Sequence, residues 1–157
     1  MPLKSAAVGL IAVMAAALTT SAAARPDAPG AEMLSLLGVG DTFELVDNGE
    51  SGVGVGDIFA SGGNLYRWRG RARGRRVGRV DVLCTALTAD GVRSHCSVTA
   101  VVPDGRIEAV GLFDSEANTL AVIGGTGRYR NGRGELTMRS LGGERLALVF
   151  RLASDDS

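Results

Sequence analysis

Residues 77–102 read VGRVDVLCTALTADGVRSHCSVTAVV, and this stretch decides the fold. Its first arm sets Val80, Val82, Cys84 and Ala86 on one face and Arg79, Asp81, Leu83, Thr85 and Leu87 on the other. The second arm sets Cys96, Val98, Ala100 and Val102 on an apolar face, with His95, Ser97 and Thr99 opposite. A period of two marks a strand with one face buried. Asp90-Gly91 between two such arms is a hairpin signal, because glycine takes the positive φ that the tight turns require. Both cysteines fall on the apolar side. A turn centred on Asp90 sets Cys84 directly across from Cys96, and residues so opposed stand about 4.5–5.5 Å apart at Cα. That separation lies within reach of a disulfide, and a slip of one residue would part them.

Outward from this hairpin the chain keeps the same grammar. Strands are expected at 41–47, 53–60, 77–87, 93–102, 106–112, 119–124, 133–140 and 144–152. Asn48-Gly49, Ser61-Gly62-Gly63, Asp90-Gly91, Asp104-Gly105, residues 115–118, Gly125-Thr126-Gly127 and Gly142-Gly143 divide them. No useful window shows helical spacing. The fold expected is all-β, an eight-stranded antiparallel up-and-down β-barrel, with a sandwich as the alternative. Closure removes the open edges that invite aggregation.

The two ends of the chain read differently. Lys4 precedes a 13-residue small-apolar stretch, Ala6 to Leu18, and Ala22-Ala23-Ala24 then offers an A-x-A cleavage site. That order reads as a signal peptide over residues 1–24, and so as a secreted or extracytoplasmic protein. Residues 25–37 read as a linker ending in the apolar anchor Met33 to Leu37, and residues 38–157 as the domain. Export favours a Cys84–Cys96 bridge, since paired thiols oxidise outside the cytosol. The one histidine, His95, points away from Cys96 on a strand, so no metal site is expected.

Lys+Arg and Asp+Glu are both 17, a balance unlike that of nucleic-acid-binding domains. No apolar run after the N-terminus is long enough to span a membrane. Arg67, Arg69, Arg71, Arg73, Arg75, Arg76 and Arg79 form a dense stripe. An edge strand protected by charge accounts for it; an anionic partner is the other reading. Gly125-Thr126-Gly127 is followed by no lysine and opens no helix, so it is not a phosphate loop. No G-x-S-x-G is present and one histidine does not make a hydrolytic triad.

Residues 120–139 read LAVIGGTGRYRNGRGELTMR. The stretch resembles the G-G-T/S-G-x-F/Y-x-x-A/G-R/Y-G motif of the dirigent and allene oxide cyclase families. Gly56-Asp57-Ile58 through Leu65-Tyr66 is similar to a cyclase segment, and Val77-Gly78-Arg79 resembles a dirigent strand opening. Together the matches cover about residues 40–152. The resemblance implies an eight-stranded barrel, commonly a homotrimer (a homodimer is the other arrangement), holding a small hydrophobic ligand without a cofactor. It implies a protein that guides cyclisation or isomerisation of a metabolite by holding it in one conformation, as an isomerase or cyclase would; the N-terminal reading makes that protein an exported one. A non-catalytic extracellular ligand-binding or structural barrel is the alternative, because fold does not fix function.

The same resemblance supplies candidate residues. Glu44 matches a first-strand glutamate of the cyclases and Arg133 a dirigent arginine; both are catalytic candidates. Tyr129 and Asn64 are ligand-binding candidates. Cys84 falls where the cyclases carry a cavity cysteine, which competes with its pairing to Cys96. Each has a plainer reading too: an outward carboxylate for Glu44, a rim ion pair with Glu135 or Asp114 for Arg133, a core aromatic for Tyr129.

Overall fold

The computed structural model describes residues 31–49, 51–70, 72–114 and 118–153. Eight strands run in chain order: β1 (Glu32–Val46), β2 (Ile58–Trp68), β3 (Arg73–Ala86), β4 (Ser94–Val102), β5 (Gly105–Phe113), β6 (Thr119–Gly125), β7 (Gly134–Ser140) and β8 (Arg145–Leu152). Each pairs antiparallel with the next, and β8 returns to β1 to close the barrel. The interior is packed by Leu36, Leu65, Val98, Ile107, Leu120, Leu136, Leu148 and Phe150, all essentially without solvent contact. Full burial of one such side chain contributes about 1.5–3 kcal/mol.

The hairpin at the centre of the sequence forms in the expected register. Cys84 pairs with Cys96 in the β3–β4 ladder, and the two are joined by a disulfide with Cα atoms 4.0 Å apart. In the turn, Asp90 accepts from Thr88 Oγ1 at 2.7 Å and from the Val92 amide at 3.1 Å. These bonds, the Thr88 hydroxyl first, hold its carboxyl below the ordinary aspartate value.

Two segments differ from the expectation. Residues 32–37, read above as the end of a linker, are the first part of β1 and pair with β8. They show no alternation because Leu36 packs inward while Leu37, on the opposite face, is also buried. Ser61-Gly62-Gly63, read as a turn, lies inside β2, and residues 53–57 precede that strand as loop. Gly63 faces Gly40 of β1. A Cβ at Gly63 would stand 2.9 Å from the Gly40 Cα, so glycine is needed where the two backbones close together. The signal-peptide reading of 1–24 lies outside the described residues, and no described helix is long and apolar enough to cross a membrane.

The two barrel ends are built differently. At one end the Gly-Gly-Thr-Gly turn leads into a short 3₁₀ turn, Gly127–Tyr129, whose Arg128 amide bonds Asp104 O at 3.0 Å. Gly127 has φ +60°, open to glycine at no steric cost. Tyr129, buried, joins the core there. At the other end β1 outruns its partner: the β8 pairing stops at Val39, and Thr42–Val46 pair with β2 alone.

Candidate functional site

A cavity of about 260 Å³ opens where β1 leaves β8. Gly38, Gly40 and Gly63 line it, with Val80, Val82, Leu146 and Ser61. The space is a product of composition. Gly40 and Gly63 face each other, and Gly63 in turn faces the buried Val80, so this row points inward without side chains on β1 or β2. Phe43 sits opposite Ser61 on the same inner face and is 71% exposed at the mouth. Val39, Thr42 and Gly62 border it too, with two carboxylate residues, Asp41 and Glu144.

Asp41 is held by two strands. Arg79 of β3 donates to Asp41 Oδ2 at 3.1 Å and Oδ1 at 3.3 Å, and Asn64 of β2 donates to Oδ2 at 3.0 Å. Asp41 falls at the register shift between Gly40 and Thr42, an irregularity of the kind that re-aims a side chain. An apolar wall with a few fixed polar groups is the usual make-up of a small-molecule site.

The candidate residues fall in different places. Glu44 faces Ala60, which faces Leu83, itself half exposed. Directly opposed residues share a face, so Glu44 stands on the outer wall, in a groove with Thr42, Leu83 and Thr99 that adjoins the cavity mouth. Asn64 shares the outer wall and orients Asp41. Arg133 precedes β7 and donates from Nη1 to Ile123 O at 2.7 Å and Gly132 O at 3.0 Å. Its own carbonyl accepts from Ala153, just past the Leu152–Glu32 pair that starts β1. Glu44 is twelve residues further along that strand, roughly 40 Å at ~3.3 Å per residue. Glu44 and Arg133 therefore do not share a cavity. Tyr129 lies at the plugged end, its phenol pushed above the ordinary tyrosine value by burial first and then by Glu32 and Asp104.

Cys84 and Cys96 occupy the inner face in the row of Phe59, next to that of Phe43, Ser61 and Val82. The inner-face position and the bridge thus coexist, and the bridged sulfur carries no titratable thiol.

Sequence reasoning passed over Asp41 and Glu144. The signal for them was the glycine density around residues 38–40 and 62–63, which marks a wall without side chains. A second aspartate, Asp57, is buried and structural. It accepts from the Asn48 amide at 2.9 Å and the Gly54 amide at 2.7 Å, and so ties down the β1–β2 loop.

Comparisons with known proteins agree with this geometry. The allene oxide cyclase barrel like domain family matches residues 41–150. No curated protein matches the sequence. Among solved structures, a pyocyanin demethylase is 27% identical over 78% of this chain and 100% of its own, with a TM-score of 0.66. The Diels-Alderase AbmU from Streptomyces koyangensis is 17% identical over 80% of this chain and 70% of its own, with a TM-score of 0.57. The pterocarpan synthase dirigent protein GePTS1 is 14% identical over 78% of this chain and 86% of its own, with a TM-score of 0.53. The last two show the shared barrel alone. With the closed eight-stranded barrel and the matched span, the chain belongs to the allene oxide cyclase-like barrel family.

Proposed function

We propose that this barrel is an exported protein that binds one small hydrophobic metabolite in its glycine-walled cavity and guides its cyclisation or isomerisation. The observation that carries the reading is the cavity itself: backbone and Val80, Val82 and Leu146 on its walls, Asp41 and Glu144 at its rim. Its volume of about 260 Å³ lies just under the roughly 300–1,000 Å³ of small-molecule pockets and so fits a compact ligand. The Asp41 carboxylate is neutralised by Arg79 on the outer wall, so in this reading the rim carboxylate of Glu144 is the one that stabilises positive charge developing as a bound ring system rearranges. In this reading Glu44 adds a third carboxylate beside the mouth, Asn64 orients Asp41, and Tyr129 and Arg133 support the plugged end. Export through residues 1–24 is supported by the disulfide, which an oxidising compartment preserves. Assembly into a homotrimer belongs to the same proposal, and sedimentation of the mature protein reads it directly.

The likeness to a pyocyanin demethylase over that protein's whole length favours a second reading, in which the ligand is an N-methylated heteroaromatic ring. Pyocyanin and phenazine serve as probes for both. Titration calorimetry is expected to give saturable binding to the wild type. Gly40→Val places a side chain in the cavity, where its Cβ meets Glu144 and the Gly62 carbonyl at ordinary contact distances. It is expected to weaken binding at least tenfold, about 1.4 kcal/mol. Unchanged affinity in that variant overturns the assignment of the cavity. Loss of pyocyanin absorbance on prolonged incubation selects the second reading; binding without conversion retains the first.

A further inference from the structure

Another concavity, of about 490 Å³, lies on the outer wall of the barrel and shares only Val39 with the glycine-walled cavity. Leu37, Val39, Trp68 and Leu141 form its apolar part, and Arg73, Arg139 and Arg145 its polar part. The three arginines are 66 residues or more apart in pairs involving β3, and only barrel closure brings them together: Ala147 of β8 pairs with both Leu37 and Arg139, and Arg145 pairs with Val39. Leu37 and Ala147 are buried although they point outward, so the wall has an apolar floor.

The charge is one-sided. No carboxylate lines this concavity, and none of the three arginines pairs with a carboxylate among the described residues. Arg73 lies over the Tyr66 ring at 4.8 Å, and Arg145 donates to the carbonyls of Gly142 and Leu141, both at 3.4 Å. These contacts hold the side chains in place and leave their charge uncompensated. Guanidinium groups present a planar fork that matches carboxylate and similar oxyanions. An indole face beside them accepts a flat apolar body.

We infer that Trp68, Arg73, Arg139 and Arg145 form a binding site for a small aromatic carboxylate, its ring against Trp68 and Leu141 and its anionic group among the guanidiniums. The site lies on the other face of β1 from the glycine-walled cavity, and Val39 borders both.

Trp68 is the only tryptophan, so intrinsic indole fluorescence reports this wall alone. The experiment titrates the mature chain with para-nitrobenzoate, a quenching aromatic carboxylate, and with the neutral para-nitrobenzyl alcohol. Saturable quenching by the anion and only linear, collisional quenching by the alcohol are expected. Arg139→Gln is expected to raise the midpoint about tenfold, roughly 1.4 kcal/mol. Added salt is expected to raise it several-fold in the wild type. Arg106→Gln, an exposed arginine on β5 outside this concavity, should match the wild type. Equal linear quenching by both probes, or an unchanged midpoint in Arg139→Gln, overturns the inference.

Discussion

Arg79 of β3 reaches across the whole width of β2 to Asp41 of β1, Nη1 standing 3.1 Å from Oδ2. Asn64, on the strand between them, donates to the same oxygen. A single carboxylate at the cavity rim thus clasps three strands just where β1 parts from β8. Both ion-pair partners are more than a third exposed or close to it, so water screens the attraction. A double-mutant cycle of Asp41→Ala and Arg79→Ala is expected to give a coupling of about 0.2–1 kcal/mol in urea denaturation. A coupling several times larger would mean that the pair is shielded from solvent in solution.

Asp57 should matter far more to stability. Its carboxylate is buried and satisfies two loop amides, those of Asn48 and Gly54. Asp57→Ala removes the partner of both amides; the half-buried Gly54 amide stands to lose up to about 1–3 kcal/mol, the exposed Asn48 amide less because water replaces the carboxylate. The expected result is a clear drop in the urea midpoint and new protease cleavage between residues 47 and 57. A wild-type cleavage pattern would contradict it.

The bridge between Cys84 and Cys96 closes a short loop. Removing it with Cys84→Ala and Cys96→Ala together is expected to cost at most about 3 kcal/mol, the loop-closure value for a loop of this size. Intact mass after alkylation without reductant should show no modified thiol in the wild type. Two alkylated thiols in freshly purified exported protein would leave the hairpin unbridged.

Tyr129 gives the protein an alkaline limit. Burial, with Glu32 and Asp104 nearby, raises its pKa in the folded state above the unfolded value; Arg128 and Arg67 offset part of this. A raised folded pKa means that its contribution is complete below about pH 10 and is lost as pH rises through the folded value. The urea midpoint is therefore expected to fall above about pH 10. Tyr129→Phe should flatten that fall, and an equally steep fall in the variant would remove Tyr129 as its cause.

Alternation and turn chemistry are local properties, and what depends on them was legible in the sequence. The period-two arms around Asp90-Gly91 set the β3–β4 register, and with it the Cys84–Cys96 pairing. Eight segments of strand pattern set the strand number, although several of their boundaries moved. Where a segment's surroundings overrode its own pattern, only the tertiary structure decided. Met33 to Leu37 hides its alternation because Leu37, on the outer face, is buried like Leu34 and Leu36 in the core, whereas Met33 on that outer face stays exposed. Ser61-Gly62-Gly63 has turn composition, yet it is strand, because β1 comes too close there for a side chain at Gly63. The resemblance supplied Glu44 from the cyclases and Arg133 from the dirigent proteins, and strand geometry set them beside opposite ends of β1. The cavity with Asp41 and Glu144, and the wall with Trp68, Arg73, Arg139 and Arg145, arise only when β8 closes on β1. A sequence pattern tells which residues share a face of one strand; which faces meet around a barrel is set by closure, register and the bulges between strands.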